Sequence, residues 1–189
     1  MTFLLRMRDA SFNASGAAVG PVTLDVQPGE RAARVFGSAR EANVVALLAA
    51  GIVKAGCGCV LIDQFDPRVQ SAHCKRIAAF VPHAALPLDE SEFEPYIAYR
   101  AALWGVETMR AVAHAKLLME RLDGMHEAFA YPLVGALVGS PKLLVLDRPQ
   151  PAYASYVLAA AGPRAIFSTH VSAAAAAAFC ESTLRGPPA

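Results

Sequence analysis

Charged side chains are scarce in this sequence. Asp, Glu, Lys and Arg make up 17% of the 189 residues, and 17 Lys and Arg against 16 Asp and Glu leave a formal net charge of +1. Proteins that hold many phosphates of a nucleic acid carry a strong basic excess, so we do not expect a nucleic-acid partner. The hydrophobic share of 55% excludes a disordered chain and leaves apolar surface for a partner to cover.

The sequence also lacks a clear membrane span. Uncharged stretches such as residues 128–141 contain a proline, here Pro132, and a spanning helix needs about 20 apolar residues. Arg6, Arg8 and Asp9 place charge near the N-terminus before any apolar stretch of signal-peptide length. We therefore expect a cytoplasmic protein that does not itself span the membrane.

The cysteines are too few and too irregularly spaced for a metal centre. Cys57, Cys59 and the pair His73 and Cys74 do not show the two-residue gap of paired zinc ligands. A disulfide framework is not expected either, because the sequence has no secretion signal. We predict no metal site from these residues.

Short apolar segments bounded by glycine, proline or aspartate predict strands. They lie at residues 3–8, 22–26, 31–36, 60–62, 77–81, 143–146 and 165–168, with a turn at 15–20 between the first two. The continuous apolar segments 143–146 and 165–168 are typical of parallel strands buried on both faces.

Helix-forming residues fill most of the intervals between these strands. They predict helices at 41–50, within 92–122 with a break at Gly105, and at 173–178. The resulting order indicates a single α/β domain over residues 1–189, with a mostly parallel sheet, an antiparallel N-terminal patch and a helical subdomain at approximately 84–135.

Five segments in this order resemble the ATP-binding cassette (ABC) ATPases, the nucleotide-binding subunits of transporters. Residues 20–30 resemble the strand and turn that lead into the phosphate loop, and 60–68 the strand after the first helix. Residues 77–82 resemble the strand before the glutamine loop, 137–147 the Walker B strand and 167–170 the histidine switch. The resemblance implies a P-loop NTPase-like ABC ATPase fold, here with a shortened helical subdomain.

The phosphate loop of the resemblance is degenerate. In the pattern G-x-x-x-x-G-K-[ST], glycines let backbone N–H groups surround phosphate, lysine neutralises phosphate oxygens, and the hydroxyl holds Mg²⁺. Residues 37–44 keep only the first glycine, Gly37. Ala42 replaces the second glycine, Asn43 the lysine and Val44 the hydroxyl.

Ser38 and Arg40 complete the candidate nucleotide-binding loop. Arg40 could supply a cation in place of the lysine, but the neighbouring Glu41 offsets its charge, and an anion beside a triphosphate is unfavourable. The resemblance therefore implies a loop that has lost its lysine, its second glycine and its magnesium ligand.

The catalytic positions implied by the resemblance are changed as well. Asp147 is the Walker B aspartate, but Arg148 replaces the glutamate after it, and a cation cannot act as a general base. His83 stands at the glutamine-loop position and could still form a hydrogen bond or be an exposed loop residue. His170 is retained at the switch, where we expect a structural hydrogen bond.

The signature Leu-Ser-Gly-Gly of the family is missing. Two alignments are open: residues 123–126 correspond to it in position, or residues 134–137 correspond to those just before it, with the signature and its helix deleted. Pro132 lies within the segment of the signature helix and favours a changed or absent helix, since an interior proline costs about 3 kcal/mol.

These substitutions predict a catalytically inactive structural or regulatory subunit of a transporter complex. Its expected partners are a cognate ABC ATPase subunit and a membrane permease at the cytoplasmic face of the membrane. Tyr96, Tyr99 and Trp104 are either core residues or contacts with these partners. No cofactor is expected. The alternative is an ATPase with an atypical site that binds ATP and Mg²⁺ and energises transport.

Overall fold

The computed structural model describes residues 3–14, 17–180 and 182–184. Its strands, in chain order, are β1 Leu5–Ala14, β2 Ala17–Val26, β3 Arg31–Val35, β4 Cys57–Ile62, β5 Ala78–Val81, β6 Leu143–Asp147, β7 Ala165–His170 and β8 Ser182–Leu184. Its helices are α1 Ala39–Ala49, α2 Ser71–Ile77, α3 Glu90–Trp104, α4 Thr108–Arg121, α5 Glu127–Leu137, α6 Ala154–Ala161 and α7 Ala173–Ala177, with a 3-10 turn at Pro151–Tyr153.

The strands form two sheets. β1 pairs in antiparallel fashion with β2 and β4, which gives the order β2-β1-β4. The second sheet is parallel, with the order β5-β6-β7-β3-β8. The predicted combination of a parallel sheet with an antiparallel N-terminal patch is confirmed.

Each face of the parallel sheet has its own core. One face packs with α1 against the antiparallel sheet, and its buried residues include Val45, Leu48 and Phe167. The other face packs against α3 to α6, with Ile97, Leu133 and Ile166 among its buried residues. β6 is buried along its whole length because it lies between these two layers.

The first hairpin is longer than its apolar pattern predicts. Residues 17–20 belong to β2, whereas the sequence predicted a turn over 15–20, of which Ser15 and Gly16 lie outside the described residues. The pairing of β1 with β2 shifts register between Met7 and Phe12. A β-bulge adds an unpaired residue to one strand and interrupts the alternation of apolar and polar residues. The sequence pattern therefore predicts a shorter strand than the structure contains.

Pro132 lies inside a helix, where the sequence favoured a changed or absent one. α5 runs from Glu127 to Leu137 through Pro132. A proline cannot donate the helical hydrogen bond to the carbonyl four residues earlier, which here is that of Ala128. The backbone N–H of Leu86 donates to this carbonyl instead, at 2.7 Å. The loop after β5 thus removes part of the cost of the proline.

Two aromatic side chains of α3 pack closely on the chain around the end of α5. A Cβ atom at Gly135 would overlap Tyr96, and one at Gly139 would overlap the ring of Trp104. Arg100 of α3 donates from Nε to the carbonyl of Gly135 at 3.1 Å. These contacts fix α3 across the C-terminal half of α5.

No helix within the described residues is long and apolar enough to cross a membrane.

Candidate functional site

The candidate site lies where four parallel strands end at one edge of the sheet. β3 leads to the start of α1, β5 to His83, β6 to Arg148, and β7 ends at His170. Ligands of open α/β sheets bind at the carboxyl ends of the strands. The fold therefore brings the predicted site residues to a common edge, although their side chains take different directions.

Asp147 is the centre of the site. It is only 2% exposed, and both of its carboxylate oxygens are engaged. Asn43 donates from Nδ2 to Oδ2 at 2.7 Å. Arg148 donates from Nε to Oδ1 at 2.9 Å and from Nη2 to Oδ2 at 3.1 Å. Thr169 Oγ1 lies 3.5 Å from Oδ1. Side chains from α1, from β7 and from the residue after β6 thus converge on one buried carboxylate.

Arg148 is held in place by its backbone as well as by its side chain. Its φ of 45° lies in the left-handed region, which costs a non-glycine residue roughly 1–2 kcal/mol. Its N–H donates to the carbonyl of Thr169 at 2.9 Å. His83 Nδ1 donates to the carbonyl of Arg148 at 2.8 Å, since a carbonyl can only accept. The hydrogen bonds to Asp147 raise the pKa of Arg148, so the cation is fixed in front of the carboxylate.

The segment expected to form a phosphate loop is mostly helical. α1 begins at Ala39, so only Phe36, Gly37 and Ser38 separate it from β3. Arg40 is exposed in the first turn of α1. Asn43, rather than Val44, reaches Asp147, whereas the sequence placed Val44 at the position of the magnesium ligand. Val44 is half-buried and packs against the core.

Glu41 folds back over the start of α1. Its Oε2 accepts a hydrogen bond from the N–H of Gly37 at 3.2 Å. Its own N–H donates to Ser38 Oγ at 3.1 Å. The sequence alone predicts Glu41 only as a charge that offsets that of Arg40. The spacing Ser-x-x-Glu of a capping box could have revealed that this carboxylate points toward the N-terminus of the helix.

Arg34 is a buried cation on β3, only 7% exposed. Nη1 donates to the carbonyl of Thr23 at 3.0 Å, and Nε is buried without a hydrogen-bond partner among the described residues. Burial lowers the pKa of Arg34, while attraction to the carboxylate of Glu41 acts in the opposite direction. The charge of Glu41 therefore favours the charged form of Arg34 near the start of α1.

His170 points into the protein. It is 1% exposed, its Nε2 lies 2.9 Å from Ser168 Oγ, and its ring packs against Phe179 with the centroids 5.5 Å apart. Within the described part of the chain, Nδ1 has no hydrogen-bond partner. Burial lowers the pKa of His170 to about 4. Its imidazole is neutral at pH 7 and does not join the residues around Asp147.

Residues 123–126 lie immediately before α5, where one of the two proposed alignments places the missing signature. His126 caps the helix, with Nδ1 accepting from the N–H of Ala128 at 3.3 Å. Glu127 adds a carboxylate to the first turn. A helix start with an acidic residue in this position is poorly suited to an anion, because the negative charge offsets the helix dipole.

An apolar groove that Asp147 does not line lies between the parallel sheet and α3. It has a volume of about 430 Å³, and it is lined by Ala50, Ile52, Lys75, Ala78, Ala79, Phe80, Tyr99, Arg100, Leu103 and Trp104. Ile52, Tyr99 and Leu103 are 50%, 62% and 61% exposed. Of the three aromatic residues singled out in the sequence, Tyr99 and Trp104 line this groove, and Tyr96 packs on Gly135.

Solved structures identify the fold. The chain is similar to an ATP-binding subunit of an ABC transporter, with a TM-score of 0.77 and 18% identity over 96% of this chain and 85% of that one. It is similar to CbiO1 of Clostridium perfringens, part of the ABC transporter complex CbiONQ, with a TM-score of 0.73 and 13% identity over 98% and 85%. It also resembles a nucleotide-free ATP-binding cassette from an ABC transporter, with a TM-score of 0.69 and 14% identity over 98% and 87%.

The chain therefore has the fold of the ABC transporter ATPases, as its sequence motifs predicted. No protein-family model matches the sequence, and neither does any curated protein.

Proposed function

We propose that this chain is a nucleotide-binding-subunit-like component of an ABC transporter complex that does not hydrolyse ATP. It acts as a structural or regulatory subunit beside a competent ATPase subunit and a membrane permease, at the cytoplasmic face of the membrane. The observation that carries this proposal is the pairing of Asp147 with Arg148 and Asn43.

Mg²⁺ and ATP do not fit the side chains at this edge of the sheet. A divalent cation on Asp147 would have to displace the guanidinium of Arg148 from a carboxylate that is 2% exposed. A phosphate at the start of α1 would meet the carboxylate of Glu41 and would find no ammonium group at residues 42–44. No carboxylate follows Asp147 to act as a base.

A membrane-protein partner is supported by the apolar groove beside α3. Exposed large apolar side chains that line one groove are typical of interaction sites. Lys75 and Arg100 border it, so the groove suits an apolar segment with acidic flanks. The structural relative CbiO1 is itself described as part of a transporter complex.

Calorimetry with ATP tests the catalytic half of the proposal. The full chain is titrated with ATP with and without Mg²⁺, beside a competent cassette ATPase as a positive control. We expect neither magnesium-dependent binding nor hydrolysis by this chain. Magnesium-dependent binding in the micromolar range would overturn the proposal and favour an ATPase with an atypical site.

Membrane association tests the partner half. The chain is expressed together with a candidate permease, and its amount in the membrane fraction is measured. The variant Tyr99→Glu/Leu103→Glu should lose association, because it places carboxylates in the apolar groove. Met109→Glu is the control, since Met109 is 79% exposed and does not line the groove. An equal loss of membrane association in the control would contradict the proposal that the groove binds the permease.

A further inference from the structure

We propose that two side chains of this protein occupy the positions of the charged partners of a nucleotide site. The guanidinium of Arg148 takes the place of a divalent cation on Asp147, and the carboxylate of Glu41 takes the place of a phosphate at the start of α1. This inference rests on the proposed function. It adds a structural reason why the chain does not hydrolyse ATP, which is that its own side chains fill the ligand positions.

The cationic half of this arrangement is the contact of Arg148 with Asp147. A divalent cation at a buried carboxylate neutralises its charge and occupies its oxygens. Arg148 does both, because it donates to Oδ1 and Oδ2 with two different nitrogens. The backbone of Arg148 has a strained φ of 45° and forms hydrogen bonds with Thr169 and His83. In this conformation its side chain lies against Asp147.

The anionic half is the contact of Glu41 with Gly37. Backbone N–H groups at a helix N-terminus attract an anion, and in a phosphate loop that anion is the ligand. Here the N–H of Gly37 donates to Glu41 Oε2, and Ser38 Oγ accepts from the N–H of Glu41. The buried guanidinium of Arg34 donates to the carbonyl of Thr23, and the charge of Glu41 favours its charged form.

The two halves meet on α1. Glu41 acts at its N-terminus, and Asn43, two residues later, bonds to Asp147. α1 is therefore joined to β6 and to the turn after β3 without any ligand. Contacts within the chain therefore fix the conformation around the site. The surface that a partner subunit would contact does not depend on bound nucleotide.

Removal of the internal cation tests the first half. Mn²⁺ binding is measured by electron paramagnetic resonance for the wild type, Arg148→Gln and the control Arg68→Gln, whose guanidinium pairs with Asp66 in a loop outside the site. We expect Arg148→Gln to bind Mn²⁺ about tenfold or more tightly than the wild type, and Arg68→Gln to be unchanged. The added substitution Asp147→Asn should abolish the gain.

Removal of the internal anion tests the second half. Inorganic pyrophosphate is titrated calorimetrically into the wild type, Glu41→Gln and the control Glu30→Gln. Glu30 also accepts from a backbone N–H, that of Gln27 at 2.7 Å, but in an exposed turn. We expect a gain of about tenfold or more for Glu41→Gln only.

Folding of each variant is verified by circular dichroism and thermal unfolding. If Arg148→Gln does not fold, Arg148→Gly replaces it, because glycine adopts a φ of 45° without strain. Folded variants at both positions that bind neither Mn²⁺ nor pyrophosphate would overturn the inference and leave the proposed inactivity intact. Binding of Mg²⁺ and ATP by the wild type would instead overturn the proposed function, so the two failures are distinct.

Discussion

Asn43 and Asp147 are 104 residues apart in the sequence and are joined by a hydrogen bond of 2.7 Å from Nδ2 to Oδ2. This bond connects the second turn of α1 to the end of β6. It satisfies one oxygen of a carboxylate that water scarcely reaches. The contact therefore contributes to the stability of the fold as well as to the arrangement of the site.

Replacement of Asn43 by alanine should lower the free energy of unfolding by about 1–3 kcal/mol, because a buried carboxylate loses one of its donors. Asn43→Asp should cost more, since it places a second negative charge against Asp147. Urea unfolding monitored by circular dichroism measures both changes. Asn13→Ala on the exposed side of β1 is the control and should change stability by less than about 0.5 kcal/mol. An equal loss in the control would contradict the role of the bond.

Two substitutions at Arg148 separate the ion pair from the backbone strain. Arg148→Ala should destabilise the protein by about 3 kcal/mol, because a buried carboxylate loses its cation. Arg148→Gly loses the same ion pair but accepts the φ of 45°, so it should be more stable than the alanine variant by about 1 kcal/mol. Chemical denaturation compares the two proteins directly. If the alanine variant is the more stable one, the left-handed backbone is not a source of strain.

The burial of His170 predicts a specific loss of stability in acid. Its pKa is lowered from 6.5 to about 4 in the folded protein, so the unfolded chain binds the proton first as the pH falls. Stability is fully present above pH 6.5 and decreases between pH 6.5 and 4, by up to roughly 3 kcal/mol.

The variant His170→Gln isolates this effect from that of the carboxylates. The pKa values of Asp25, Asp66 and Glu107 are also lowered, so both proteins lose stability in acid. Urea unfolding at pH 7 and pH 4.5 should show a smaller decrease for His170→Gln than for the wild type. Equal decreases would mean that His170 binds a proton as readily in the folded protein as in the unfolded one.

Gly139 leaves room for the ring of Trp104. Gly139→Ala should destabilise the protein by about 1–3 kcal/mol, because the added methyl group overlaps the indole. The cost should fall in a Trp104→Leu background. Gly56→Ala is the matched control, since a Cβ there meets its nearest neighbour, the carbonyl oxygen of Ser11, at an ordinary 3.8 Å. The thermal unfolding of all these variants is followed by circular dichroism.

Much of the architecture could be predicted from local patterns. The apolar segments before Asp147 and His170 are the central strands β6 and β7. Gly105, with a φ of 66°, separates α3 from α4 as its position suggested. These predictions succeed because each depends on the residues of a single segment.

Short helices without a pattern of their own and features that depend on contacts between distant residues could not be predicted from the sequence. α2 and α6 are short helices without a marked pattern of their own. The inward direction of His170 depends on its packing against Phe179. The helix through Pro132 depends on a hydrogen-bond donor from a loop more than forty residues earlier.

The same hydrogen bond is part of a short chain of contacts between α5 and the buried pair of Asp147 and Arg148. Leu86 donates to the carbonyl of Ala128 in α5, and Leu86 is three residues from His83. His83 in turn holds the carbonyl of Arg148. Two hydrogen bonds and one short loop thus connect α5 to Arg148, with contacts supplied by the chain itself.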